Sequence, residues 1–217
     1  MNQTQITTDN YGYKTITEFN DQNEKIKETI YRPNETIHSL REFDPKTKKI
    51  IKFFHQNIEN KILINEEYDP KTGKTTKSHK YRPDGSLHYI LENNPAGKKI
   101  KYTFFRENNT LCYFEEYEPK TGKISKQAYF NDDGLLHSLV ILIPKPGEEN
   151  THTFYRPDGS IKSRDWFKAG GIRINTIWYH PDGSIESEYQ FDLSHLKKNR
   201  LTKQQPRSGR TNTTLYI

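Results

Sequence analysis

At 217 residues the chain has room for one or two ordinary domains, but only 31% of it is hydrophobic and its mean hydropathy is −1.05, which excludes a thick aliphatic core. An aromatic share of 12%, with 14 Tyr and 11 Phe, is too high for a disordered polar chain, so amphipathic rings carry the apolar payload and a thin, extended fold is expected. The formal charge of +6 is local: Lys197, Lys198, Arg200, Lys203, Arg207 and Arg210 stand in a stretch without acids, and the rest of the chain balances 28 basic against 28 acidic residues.

The first ten residues, MNQTQITTDN, have neither a basic n-region nor an apolar h-region. No signal peptide is expected in this chain. Residues 1–9 are read as a flexible N-terminus. From Phe19 to Phe191 turn signals recur about every twelve residues, commonly preceded by an aromatic residue, and they fall into two alternating classes. One class runs FDPKTKK at 43, YDPKTGK at 68, NNPAGKK at 93, YEPKTGK at 117 and a degenerate FKAGG at 167. The other runs YRPNE at 31, YRPDG at 81, FRENN at 105, FNDDG at 130, YRPDG at 155 and YHPDG at 179.

In both classes proline presets φ, Asp or Thr bonds local backbone, and Gly takes the left-handed conformation that closes a type I turn with a bulge. Such turns reverse a strand. Between them lie segments of about seven residues with period-2 patterning, clean in Ile100, Tyr102, Phe104 against Lys99, Lys101, Thr103. The longest apolar run, LLHSLVILIP from Leu135 to Pro144, is about half the length of a membrane span and reads as a buried strand. A soluble chain is expected, with a secreted mature form and a cytoplasmic protein both left open. The fold expected over residues 10–193 is all-β. It is an antiparallel meander of about 15 short strands, a single-layer or coiled hairpin-repeat sheet roughly 70 Å long, with the two turn classes on opposite rims. His38, His88 and His137 share an offset from their turns, with Lys61 and Cys112 at that offset between them, a four-strand period that a small β-propeller would also show. Residues 194–217 form a basic tail with the composition of a disordered segment.

The turn consensus, Tyr-x-Pro-Asp-Gly-Ser-Leu/Ile and Tyr-Asp-Pro-Lys-Thr-Gly-Lys, resembles the hairpin-repeat domain of unknown function found in phytoplasma proteins. It is more distantly similar to the YD repeats of Rhs-type shells and to MORN-variant repeats. The resemblance covers roughly residues 19–193 and implies a repeat architecture without a catalytic motif inside the hairpin. FHQNIENK at 54–61 and IPKPGEE at 143–149 depart from the repeat.

Candidate chemistry is sparse. TGKT at 72–75 resembles the end of a phosphate-binding loop, but Tyr68 stands where that loop needs glycine and a strand follows instead of a helix. Three histidines on well-separated hairpins are too far apart for one metal ion, and the lone Cys112 supports neither an intrachain disulfide nor a cysteine cage. Glu18, Glu42, Glu67 and Glu116 before the first-class turns, and Lys49, Lys74, Lys99 and Lys123 after them, predict a charge ladder rather than a glycosidase pair. No cofactor is expected, and no catalytic motif supports an enzyme.

The leading expectation is a non-enzymatic protein-interaction module presenting an extended sheet surface, bacterial and effector-like or surface-associated. Its candidate contacts are the aromatic residues Tyr31, Tyr81, Tyr155, Tyr179, Trp166 and Trp178. Phe54 is counted with the first four of these in one rim column, and packing of the rings on their neighbours is the competing structural role. Two alternatives stand beside it. Nucleic acid or an anionic membrane would bind the tail through Lys197, Lys198, Arg200, Lys203, Arg207 and Arg210, or carbohydrate would bind exposed Tyr and Trp side chains.

Overall fold

The computed structural model describes residues 3–142, 149–168 and 170–193. Its elements are strands throughout. The first eight are β1 (Gln3–Thr8), β2 (Lys14–Phe19), β3 (Lys25–Tyr31), β4 (Ile37–Phe43), β5 (Ile50–Gln56), β6 (Ile62–Tyr68), β7 (Thr75–Tyr81) and β8 (Leu87–Asn93). There follow β9 (Lys99–Phe105), β10 (Leu111–Tyr117), β11 (Ile124–Phe130), β12 (Leu136–Ile141), β13 (Asn150–Tyr155), β14 (Ile161–Lys168), β15 (Ile172–Tyr179) and β16 (Ile185–Gln190). All sixteen lie in one sheet in chain order, each hydrogen-bonded only to its neighbours in sequence. The meander is therefore open, and the sheet is not divided into propeller blades. Among the described residues no helix is long and apolar enough to cross a membrane.

The strand beyond the expected count is β1. Residues 3–8, expected in a flexible terminus, pair with β2 from Gln3 opposite Phe19 to Thr8 opposite Lys14. The β-branched Thr and Ile of QTQITT favour extension, and Gly12 at φ 80° closes the turn that brings the strand back. The tail, residues 194–217, lies outside the described residues, as do residues 143–148.

Alternate turns do emerge on opposite rims. On the first rim the loop has three residues: the Arg82 N–H donates to the Ser86 carbonyl at 2.8 Å, and Gly85, at φ 88°, donates to the Arg82 carbonyl at 2.8 Å. This is the expected type I turn with a bulge. FHQNIENK follows the same geometry, Asn57 donating to Lys61 at 2.9 Å with Asn60 at φ 62°. Its column position is filled by Gln56 at the end of β5, so Phe54 is not the rim residue expected. On the second rim the DPKTGK loop is one residue longer. There Asp69 donates to Lys74 at 2.9 Å and Gly73 to the Asp69 carbonyl four residues back, at 2.7 Å. The extra residue accounts for the uneven repeat length.

Nearly every turn is followed by a one-residue register shift, a β-bulge that increases local twist. The described residues form no second layer for the sheet to pack against. Ala128, at 1% exposure, is the sole buried apolar residue among those described, whereas Thr29, Ser39, Ser78, Ser138, Thr153 and Ser163 are each 4% exposed. Small polar residues are buried because larger neighbours in the next strands lean over them. Ser138 lies between Tyr129 and Phe154, and Ser163 between Phe154 and Trp178.

Two in-plane systems take the place of a core. One is a ladder in which Glu and Lys alternate across ten consecutive strands: Glu18, Lys27, Glu42, Lys52, Glu67, Lys77, Glu92, Lys101, Glu116 and Lys126. Four of the five acids are those expected and Glu92 is added to them; the partners are not, because Lys49, Lys74, Lys99 and Lys123 fall outside this rung. Lys49 and Lys74 instead reach along the second rim to the Lys71 and Ala96 carbonyls of the following turn. Glu18 and Lys27 close to 3.0 Å, the one ladder pair in direct contact among the described residues, so each rung contributes roughly 0.2–1 kcal/mol.

The other system is made of arginine. The Arg82 guanidinium donates to the Leu87 carbonyl of its own hairpin at 2.7 Å and to the Phe105 carbonyl of the next at 2.6 Å. Arg106 repeats this with Leu111 at 2.7 Å and Phe130 at 2.6 Å. Arg32 does so with Ile37 and Gln56, and Arg156 with Ile161 and Tyr179. A planar fork of donors suits two carbonyls at a fixed separation, which a lysine cannot match.

Arg82→Lys is expected to lower the unfolding free energy by about 1.5–3 kcal/mol, the range for lost hydrogen bonds to a charged group, read from urea denaturation. Glu35 holds the left-handed turn position at φ 65° where most repeats have Gly or Asn. Glu35→Gly is expected to raise stability by about 1 kcal/mol in the same assay.

Candidate functional site

Strand alternation gives the sheet two faces. One carries the Glu/Lys ladder. The opposite face carries a row of rings in adjacent strands, Tyr89, Phe104, Tyr113 and Tyr129, with Tyr102 beside it. Phe104 stacks on Tyr113 at 5.4 Å, and Tyr113 on Tyr129 at 5.9 Å. Tyr102 lies 5.4 Å from Tyr89 and 5.9 Å from Tyr113. Burial, then the neighbouring Tyr113 and Tyr89, push the Tyr102 hydroxyl up to about 12. Burial and hydrogen bonds to Glu66 and Glu115 likewise raise Tyr68 and Tyr117. The hydroxyls remain protonated donors at neutral pH.

Further along this face, β12 to β15 frame a groove of about 640 Å³. Its floor is Ser163, Asp165 and Thr176, its ring-bearing walls Phe154 and Trp178, and the Tyr155–Pro157 turn closes one end. Thr176 Oγ1 donates to Asp165 Oδ1 at 2.6 Å, and Arg173 Nε stands 3.9 Å from Asp165 Oδ2.

Of the six aromatic residues singled out in the sequence, only Tyr155 and Trp178 are brought to one place, the groove. Tyr31, Tyr81, Tyr155 and Tyr179 are spread along the first rim, half-buried, where Tyr31 faces Ile37, Tyr81 faces Leu87 and Tyr179 faces Ile185 across their bulges. Trp166 shares the rung of the charge ladder, with Arg164 over its ring at 5.9 Å. Trp178 projects from the other face into the groove. The six cations of the tail lie outside the described residues. Phe154, Ser163, Asp165, Arg173 and Thr176 were not signalled by any motif. Alternation in SRDW assigns Ser163 and Asp165 to one face, but only the register shows what they meet.

His38, His88 and His137 share an offset because each is the extra residue of a bulge. Leu63, not Lys61, is its equivalent in the β5–β6 hairpin, and Cys112 in the β9–β10 hairpin. The rings pack locally: His38 on His55 at 4.7 Å, His88 on Phe104 at 5.2 Å, His137 near Phe154 at 6.2 Å. No group of three metal-ligating side chains occurs among the described residues.

A one-layer sheet built of hairpin repeats is the class these features define. The model of the family described as a protein of unknown function (DUF2963) matches residues 6–55, 54–104, 81–129 and 155–203. The chain belongs to that family. Each match is about fifty residues long, and the first three each hold four whole or nearly whole strands. No curated protein matches the sequence.

Among solved structures the chain is similar to S. aureus TarM, at 15% identity over 48% of this chain and 18% of that one, TM-score 0.27. It is also similar to the Photorhabdus luminescens Tc holotoxin pore, at 11% identity over 81% and 13%, TM-score 0.18. A porin-like protein from Bacteroides uniformis matches at 9% identity over 87% and 92%, TM-score 0.22. The chain spans less than a fifth of the length of the first two.

Burial, then the charges of His55, Arg32 and Arg41, lowers the pKa of His38 from 6.5; burial is also the chief cause for His79 and His152. Glu28 is lowered from 4.5: burial works to raise it, but hydrogen bonds from Lys25 and Arg41 outweigh that. All four groups bind protons more tightly in the unfolded chain, so their stabilisation is present at high pH and lost on acidification. The urea midpoint is expected to fall as pH drops below 6.5, through the histidines, and again below 4.5, through Glu28. His38→Gln combined with His152→Gln is expected to flatten the first decline.

Proposed function

We propose that the chain is a non-enzymatic interaction module that holds an extended, one-layer sheet surface open to a protein partner. The observation that carries this is the aromatic face, where four adjacent strands carry the rings Tyr89, Phe104, Tyr113 and Tyr129 and no layer of the described residues covers them. Tyr129, at the end of this row, is 39% exposed. Contiguous exposed aromatic surface marks sites of association, and Tyr and Trp supply large contact area at low entropic cost. Repeat sheets bind through columns of residues rather than a single pocket, and the partner engages several hairpins at once. The similarity of the turn consensus to phytoplasma hairpin repeats, to YD repeats and to MORN-variant repeats supports a bacterial, effector-like or surface-associated setting.

Affinity capture with the full chain as bait tests this against binding through the basic tail. Tyr129→Ser with Tyr113→Ser is expected to abolish capture of the partner, while removal of residues 194–217 leaves it intact. The reverse pattern would assign the interaction to the tail, with a steep salt dependence.

A further inference from the structure

We propose that the groove over β12–β15 binds a pyranose carrying an anionic group, a site beyond the Tyr89–Tyr129 row used in the protein-binding proposal. Trp178 differs from the other rings of its face. Tyr113 and Tyr129 turn their faces on each other, and Phe154 is covered by His152 at 4.1 Å. Trp178 is 41% exposed, stands between Ser163 and Ser187 on the neighbouring strands, and pairs with no other ring among the described residues. Two small neighbours leave its face open.

Below it the floor is polar and sealed, with Ser163, Thr176 and Asp165 at 4%, 6% and 7% exposure. Asp165 Oδ1 is held by Thr176, while Oδ2 has only Arg173 Nε at 3.9 Å, longer than a hydrogen bond. Oδ2 is left as an acceptor for a hydroxyl. The mouth is cationic: Lys162 and Arg173 outnumber the single acid Asp165, and Arg156 adds its charge while its donors are held by the Ile161 and Tyr179 carbonyls.

An open indole face takes the C–H face of a sugar ring, a carboxylate and two hydroxyls take its hydroxyl groups, and the cations take a carboxylate or sulfate. A volume of about 640 Å³ lies within the usual range for small-ligand sites, about 300–1,000 Å³. A nucleotide would also stack on Trp178, but its base presents no ring of hydroxyls to the carboxylate and hydroxyls beneath the indole, and its two ribose hydroxyls lie away from the stacked ring.

The test is fluorescence titration of the full chain carrying Trp166→Phe, which leaves Trp178 as the only tryptophan and alters the opposite face. Trigalacturonate and a sulfated carrageenan oligomer serve as the carboxylate and sulfate probes, with cellohexaose and adenosine monophosphate as controls. Saturable change in Trp178 emission is expected with at least one anionic sugar, and about tenfold weaker binding or none with either control. Asp165→Asn and Arg173→Ala are each expected to weaken binding about tenfold, with unchanged far-ultraviolet circular dichroism. No saturable response to either anionic sugar, an equal response to cellohexaose or to adenosine monophosphate, or unchanged affinity in both variants would overturn the proposal.

Discussion

An arginine fork joining one turn to the next is the contact on which the rest of this sheet depends. A β-bulge at the end of nearly every hairpin disrupts the ladder locally, leaving strand-end carbonyls that need donors. The guanidinium groups of Arg32, Arg82, Arg106 and Arg156 land on such carbonyls, one in their own hairpin and one in the next. Each fork thus repairs a bulge and fixes the spacing of adjacent repeats in one move. Where the arginine is replaced by Asn57, the amide still reaches the next turn, donating to the Pro83 carbonyl at 3.1 Å.

Because these ties run within the plane, no layer is required above or below it. All contacts between elements join sequence neighbours, so stability is a sum of nearest-neighbour terms, as in other repeat arrays. The consequence for function is direct. The described residues leave both faces uncovered, one made polar by alternating Glu and Lys, the other aromatic and bearing the groove with Asp165 and Trp178. An alternating ladder also opposes stacking of one sheet on another in a shifted register, since like charges then meet.

Much of the architecture was legible in the sequence because turn chemistry is local. Pro, Asp and Gly at fixed offsets reveal the reversal, and two alternating turn classes reveal two rims. What escaped depends on register. A bulge moves the cross-strand partner by one residue, so four of the ladder's acids were recognised while Glu92 and the lysines Lys27, Lys52, Lys77, Lys101 and Lys126 were not. The same shift put Leu63 rather than Lys61 in line with the histidines. The groove escaped for a related reason: alternation along β15 puts Thr176 and Trp178 on one face, but Asp165 belongs to β14, and nothing local to either strand announces that it lies opposite Thr176. β1 escaped because QTQITT carries no apolar alternation and extends by β propensity and pairing alone.

Native-state hydrogen exchange on the chain carrying Arg106→Ala is the most direct test that stability resides in links between neighbouring repeats. Loss of amide protection confined to the hairpins flanking Arg106, from β9 to β12, with β3–β6 unaffected, is the predicted result. A uniform loss across all strands would mean that a shared, global core holds the sheet, and would contradict the account.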